Sequence, residues 1–311
     1  MELPSDPVLG LDVGGTRCAA VIGDARGKIL ARAEWPSNSA RGSDPMIEDL
    51  VAHAKGLLGG QADVAACGVA IGGPLDAHAG IIKAPPNLPG WDDVPLKSIL
   101  EHALGLPTRV EHDATACALA EARWGAGSEA RRLAYLTCGT GFGAGFVFDG
   151  DPYYGTAGCP SDIGHVRLWD DGPVGYGEVG TIEAFCAASA LGRIAAWKFP
   201  ARWTEAPTPA HVASLAVSGD ADATAVIDTN ASAVGRTCAL ICDLLHTDMI
   251  VLGSLAQYLG STWVDRVRES FDSYCHPAAR EPCQIVESSL GLSVQDLGAI
   301  VAGMRALERG S

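Results

Sequence analysis

A strand, a glycine-threonine turn and a second strand occur twice in this chain, and that duplication constrains the fold more than any other feature. The first copy is VLGLDVGGTRCAAVIGDARGK (8–28) and the second is LAYLTCGTGFGAGFVFDGDPYYG (133–155). In each, an apolar run leads into a Gly/Thr turn, a second apolar run follows, and an Asp-x-x-Gly or Asp-Gly turn closes the unit. The turn cores are Gly14-Gly15-Thr16 and Gly139-Thr140-Gly141. Repetition of such a unit predicts two related α/β lobes facing each other. The length of 311 residues agrees, because one compact core rarely accommodates so much chain.

Local patterns fill in the rest. Pro45 suits the first position of a helix over 45–58, whose Ile47, Leu50, Val51, Ala54 and Leu58 share one face. A buried strand is expected at Val64–Ile71, ending at Gly72-Gly73-Pro74, and APPNLPGWDD reads as an irregular loop. A short strand at Arg109–Glu111 runs into a helix over Ala114–Trp124, with Asp113 at its start. The second half reads as helices near 181–199, 208–217, 220–247 and 260–275, a strand at Met249–Leu252, and a last helix near Gln295–Glu308. Neither a linker nor a low-complexity segment separates the lobes, so a hinged cleft is expected rather than a tether.

Composition narrows the function classes. Hydrophobic residues make up 48% and charged residues 19%, which suits a globular chain. A net charge of -15 disfavours a sequence-independent grip on nucleic acid or on an anionic membrane. The N-terminus MELPSDPVLGLDVGG lacks the basic and apolar regions of a signal peptide, and no apolar run reaches about 18 residues. The ten cysteines are scattered, with Cys18, Cys67, Cys117, Cys138 and Cys186 in apolar surroundings and no CxxC pair. Reduced, buried thiols in a cytoplasmic protein are the expectation.

Glycine turns bring backbone N–H groups close to phosphate oxygens, and threonine adds a hydroxyl donor. Asp12 precedes the first turn and is placed to hold a hydrated magnesium ion beside phosphates. No GK[ST] follows either turn, so neither is a P-loop. Gly139-x-Gly141-x-Gly143 imitates a dinucleotide fingerprint, but Gly143–Phe148 reads as strand where that motif needs a helix. Taken singly, each turn is equally well a plain hairpin; the matched pair favours phosphate.

DVGGTR followed by CGTGFGAG resembles the phosphate-1 and phosphate-2 elements of the sugar kinase, heat-shock ATPase and actin superfamily. With APPNLPGW, EHDATACALAE, GCPSDIGH, GTIEAF and IVLGS in order, the chain resembles the ROK family (repressors, open reading frames and kinases), whose enzymes include bacterial glucokinases. The resemblance implies an α/β, two-lobed actin-like/ribonuclease H-like ATPase fold with a cleft between lobes. The expected division is a small lobe of 1–118 plus 292–311 and a large lobe of 119–291. The implied activity is ATP-dependent phosphorylation of a hexose or modified hexose, at the 6-OH, with ATP and Mg2+ and a homodimer as the default assembly. The implied nucleotide site comprises Asp12, Gly14, Gly15, Thr16, Arg17, Gly139, Thr140 and Gly141, with Gly253 and Ser254 at the adenosine. The implied sugar contacts are Gly73, Asn87, His112, Asp113, Asp162, His165 and Glu183.

Asp113 carries the heaviest assignment. As a bare residue at a strand-to-helix junction it reads first as an N-cap; the family's catalytic aspartate, in an E-N-D-A motif, makes it the general base. Without the family, Asn87 is a turn residue, His165 a structural histidine and Glu183 a solvated helix-start carboxylate. Two positions depart from the pattern: His112 replaces an asparagine, and Asp162 replaces the glutamate of G-E-I-G-H. Both glucose and an aminohexose such as kanosamine therefore stay open as substrates. Many members also bind a structural zinc through CxCGxxGC and the preceding histidine. The matching residues here, Val174-Gly175-Tyr176-Gly177-Glu178-Val179-Gly180-Thr181, contain no cysteine, so no zinc is expected and packing around Tyr176 is expected to hold the loop. Family repressors carry a helix-turn-helix ahead of the kinase-like region, for which the 11 residues before Asp12 leave no room. A non-catalytic sugar-responsive sensor is the remaining alternative.

Overall fold

The computed structural model describes residues 6–60 and 63–308. Residues 1–5, part of the stretch read for a targeting signal, and 309–311, the end of the expected small lobe, lie outside them. The chain groups into two compact units: one of residues up to Ser128 with Gly150–Ser161 and the chain from Leu292 onward, the other of Glu129–Asp149 with Asp162–Gly291.

The first unit holds a five-stranded sheet of β1 (Val8–Val13), β2 (Arg17–Gly23), β3 (Ile29–Pro36), β4 (Cys67–Ile71) and β5 (Thr108–His112), in the order β3-β2-β1-β4-β5. The first three pair antiparallel and the last three parallel. The continuous apolar runs of β1 and β4 are buried on both faces, whereas β3 alternates between half-buried and exposed as an edge strand should. Helix α1 (Ser43–Leu58) buries Met46, Ile47, Leu50 and Ala54, α2 (Leu96–Leu104) follows, and α3 (Asp113–Trp124) leaves directly from β5. The C-terminal helix, Val294–Ala306, packs backbone to backbone on β1 and β4. A Cβ on Gly68 would lie 2.0 Å from the Ala299 carbonyl and 2.1 Å from the Gly303 nitrogen, so only glycine fits there.

The second unit repeats the plan. Strands β6 (Arg132–Cys138), β7 (Phe142–Phe148), β8 (Met249–Leu252) and β9 (Gln284–Glu287) lie in the order β7-β6-β8-β9, antiparallel in the hairpin and parallel beyond it. Helices α4 (Ile182–Cys186), α5 (Ala190–Lys198), α6 (Pro209–Val217), α7 (Ala221–Leu245), α8 (Leu255–Leu259) and α9 (Ser261–Tyr274) build its core. The duplicated glycine-turn hairpin thus heads each sheet. No described helix is long and apolar enough to cross a membrane.

Several boundaries differ from the sequence expectations. The helix expected over 181–199 is two helices, because Ala187–Ser189 turn aside to bond the second glycine turn. The one expected over 260–275 gains a preceding turn, α8, with Gly260 at φ +71° between the two. The strand expected from Val64 begins at Cys67. A division after residue 118 would cut α3, and residues 150–161 group with the first unit. Tyr154 anchors that segment: its hydroxyl donates to the fully buried Glu111 carboxylate and accepts from Arg109 Nη2 at 3.0 Å.

Candidate active site

In the first turn the Gly14 N–H donates to the Arg17 carbonyl, closing the hairpin at 3.0 Å. Ser37 then holds the turn twice: its Oγ donates to the Gly15 carbonyl (2.6 Å) and its N–H to the Thr16 carbonyl (3.1 Å). The second turn is built the same way. Gly139 N–H donates to the Gly141 carbonyl (3.1 Å), Ser189 Oγ to the Thr140 carbonyl (2.6 Å), and Ala188 N–H to the Gly139 carbonyl (2.8 Å). In both units a serine hydroxyl and a neighbouring backbone N–H occupy turn carbonyls. None of these bonds uses the N–H groups of Gly15, Thr16, Thr140 or Gly141, the donors a phosphate needs. Ser37 and Ser189 carry no motif, and sequence reasoning missed both.

Asp12 is the penultimate residue of β1, within the first unit. Burial, with the nearby Asp296 and Asp113 carboxylates, pushes its carboxyl up from 3.8 to about 7, against Arg17 and Arg32. Asp296, from the C-terminal helix, is itself held by Arg32 Nε at 2.7 Å. A buried carboxyl resisting ionisation among other acids fits a divalent cation, which would restore its charge. The Arg17 side chain turns to Gln295 (3.3 Å) and Glu34 (3.6 Å) and is half exposed.

Asp113 is the first residue of α3, not its cap; its Oδ1 accepts from the Ala114 N–H (2.6 Å), and its side chain remains 42% exposed. His112 Nε2 stands 3.3 Å from the same oxygen, with the imidazole nine-tenths buried and Nδ1 without a hydrogen-bond partner among the described residues. The buried Glu111 carboxylate accepts from the His112 N–H (3.1 Å) and so fixes the backbone ahead of Asp113. Gly73 faces that imidazole: a Cβ there would sit 3.2 Å from His112 Cδ2. Asn87 lies on the first glycine turn, its carbonyl oxygen 2.8 Å from where a Gly15 Cβ would be. Buried Leu88 and Trp91 anchor its loop. The first unit therefore gathers Asp12, Gly14, Gly15, Thr16, Gly73, Asn87, His112 and Asp113 around the ends of β1, β4 and β5.

The second unit gathers the others. Buried Glu183, on α4 behind the Thr181 cap, places Oε2 3.4 Å from the Phe142 N–H and 3.0 Å from where a Gly141 Cβ would be. His165 closes a 3-10 turn, Ile163–His165, that starts after exposed Asp162. Ser254 Oγ stands 3.6 Å from the Cβ position of Gly139, so the Gly253-Ser254 turn adjoins the second glycine turn. Gly253 is required by Tyr135, whose hydroxyl would be 2.3 Å from an added Cβ. A cavity of about 460 Å3 between Trp169, Lys198, Arg236 and Tyr274 includes none of these site residues.

Two α/β units, each headed by a glycine-turn hairpin on a mixed sheet, define an actin-like ATPase fold. A ROK hexokinase from Thermus thermophilus shares it with a TM-score of 0.84 and 30% identity, covering 98% of this chain and 100% of that one. A ROK family glucokinase from Streptomyces griseus, solved with glucose and AMPPNP, superimposes with a TM-score of 0.82 at 27% identity, over 96% and 99% of the two chains. A glucokinase from Halalkalibacterium halodurans is 29% identical over 95% of this chain and 93% of its own length. A xylose repressor from Caldicellulosiruptor bescii also matches, at 25% identity. The ROK family matches residues 8–304, and the chain belongs to that family.

Proposed function

We propose that this chain is an ATP-dependent sugar kinase that moves the γ-phosphate of ATP to a hexose hydroxyl, the 6-OH, with Asp113 as general base. The carrying observation is the matched pair of glycine turns, each with its carbonyls engaged by a serine and a backbone N–H and its remaining N–H groups unused by those bonds. Kinase relatives and a family structure containing an ATP analogue support the donor. Phosphoryl transfer asks for a positioned hydroxyl, a proton acceptor and charge stabilisation on the phosphate. Asp113 accepts the hydroxyl proton; the His112 imidazole, whose Nε2 lies 3.3 Å from Oδ1, stands beside that carboxylate. Gly73, Asn87, Asp162, His165 and Glu183 hold the sugar. Gly15, Thr16, Thr140 and Gly141 supply N–H donors to the phosphates, with Gly253 and Ser254 at the nucleoside. Asp12 would hold Mg2+, and the bound ion would neutralise phosphate charge.

Glucose, which the glucokinase relatives favour, and an aminohexose such as kanosamine, which the departures at His112 and Asp162 bring in, are the two substrates of this reading. A cytoplasmic homodimer belongs to the same proposal. The repressor relative keeps one second reading, a non-catalytic sugar sensor. The test is ADP release with Mg-ATP across glucose, mannose, fructose, glucosamine, N-acetylmannosamine and kanosamine, with Asp113→Asn as control. Turnover on one sugar that disappears in the variant supports the kinase. Sugar binding without turnover supports the sensor, and absence of ATP binding refutes the kinase reading.

A further inference from the structure

The family resemblance implies a zinc ion held by three thiolates and the histidine at position 165. The residues present do not fit one: Val174, Tyr176 and Thr181 stand at the cysteine positions. The face of the His165 ring is covered instead by the Tyr176 ring, with centroids 3.8 Å apart and planes 14° from parallel. We propose that Tyr176 is a positioning residue that does by stacking what the metal would do by coordination, setting His165 against Glu183 and the second glycine turn. This deepens the kinase reading above and rests on it.

Three features of the second unit carry the inference. First, Tyr176 and Gly177 form the two-residue tip of a hairpin whose stems are Val174–Gly175 and Glu178–Val179, paired Gly175 to Glu178. Both tip residues have positive φ, +54° and +79°. Left-handed backbone suits glycine and disfavours tyrosine, and the contacts of the ring offset that cost. Second, the hairpin is seated on the start of α4. Thr181 Oγ1 donates to the Gly175 carbonyl at 3.3 Å, and a Cβ on Gly175 would lie 2.8 Å from the Ala184 nitrogen. The stem therefore moves only with the helix that carries Glu183. Third, the ring reaches the other site elements. A Cβ on Gly164, beside His165, would be 3.4 Å from Tyr176 Cε2, and one on Gly141 would be 3.9 Å from its hydroxyl and 3.0 Å from Glu183 Oε2. The Tyr176 ring lies at ordinary contact distance from both glycine positions, whose tightest neighbours are Glu183 Oε2 at 141 and the Phe142 carbonyl, 2.6 Å from an added Cβ, at 164. One aromatic ring thus contacts the histidine turn and borders the phosphate turn beside the buried glutamate. A zinc site would instead need thiolates at the hairpin and a free imidazole nitrogen directed at them.

The experiment compares full-length wild type with Tyr176→Ala, Tyr176→Leu and Tyr176→Phe. Sugar KM and kcat, ATP KM, thermal melting and zinc content are measured on each. NMR of the histidine ring protons reports the stack without reference to activity. For Tyr176→Ala and Tyr176→Leu the expected result is a rise in sugar KM on the order of tenfold, the worth of a stacked aromatic pair, with ATP KM within about twofold. Tyr176→Phe recovers most of it. In wild type the His165 ring protons resonate upfield under the tyrosine ring current, and the Ala and Leu variants lose that shift. A sugar KM unchanged in folded Tyr176→Ala, a Phe variant as impaired as the Ala variant, or stoichiometric zinc in the purified protein overturns the proposal. If wild type phosphorylates no sugar, the kinase reading fails by itself. The His165 resonances then decide the stack: an unshifted wild-type ring, or one unaffected by Tyr176→Ala, refutes it.

Discussion

Asp12→Asn removes the carboxylate proposed to hold magnesium, whose ionised form the fold resists. In the folded chain burial, and after it the nearby Asp296 and Asp113 carboxylates, pushes the Asp12 carboxyl from 3.8 up to about 7. An acid raised in this way binds its proton more tightly folded than unfolded. Its contribution to stability is therefore full below 3.8 and is lost as pH rises through about 7. Each tenfold change in proton affinity is worth about 1.4 kcal/mol, so ionised Asp12 costs the fold on the order of 4 kcal/mol above neutrality. Asparagine fills the same space uncharged and escapes that cost. Urea denaturation without nucleotide or magnesium is the assay. Asp12→Asn is expected to exceed wild type by about 2–4 kcal/mol at pH 8 and by less than half as much at pH 5. Kinase turnover is expected to collapse in the same variant, a gain in stability at the expense of function. Added Mg-ATP is expected to stabilise wild type and to leave the variant almost unmoved. A variant no more stable than wild type at pH 8, or an equal gain at both pH values, would refute the reasoning.

Three further outcomes follow from the geometry. Asp113→Asn keeps an oxygen for the Ala114 N–H, so the fold and sugar affinity should persist while kcat falls by about 10²–10⁴-fold; undiminished kcat would remove Asp113 from the base role. Ser189→Ala deletes the hydroxyl that holds the Thr140 carbonyl, and a bond worth about 1 kcal/mol predicts a roughly fivefold higher ATP KM with sugar KM unchanged, read by steady-state kinetics. Gly68→Ala drives a methyl to 2.0 Å from the Ala299 carbonyl and should cost about 3 kcal/mol by chemical denaturation; a loss under about 1 kcal/mol would mean the C-terminal helix is not so closely packed.

Much of the fold is legible locally. Apolar runs on either side of each glycine turn specify two hairpins, because strand pairing across a short turn depends on residues adjacent in sequence. The same holds for β8 at Met249–Leu252 and for the helical face of Ile47, Leu50 and Ala54 on α1. Asp12, the glycine turns and the β5–α3 junction at Asp113 were likewise found from pattern, since a buried strand ending in a polar turn has a local signature. What the sequence left open lies in contacts between distant segments. Asp296 reaches Asp12 from the far end of the chain, Ser37 and Ser189 hold turns to which no motif links them, and Tyr154 draws residues 150–161 into the first unit. The sequence showed that cysteines were absent around Tyr176, and packing around Tyr176 was expected there; only the folded hairpin shows its ring lying on His165. Periodicity records which face of an element is buried, but which partner covers that face is decided by the packing of the whole chain.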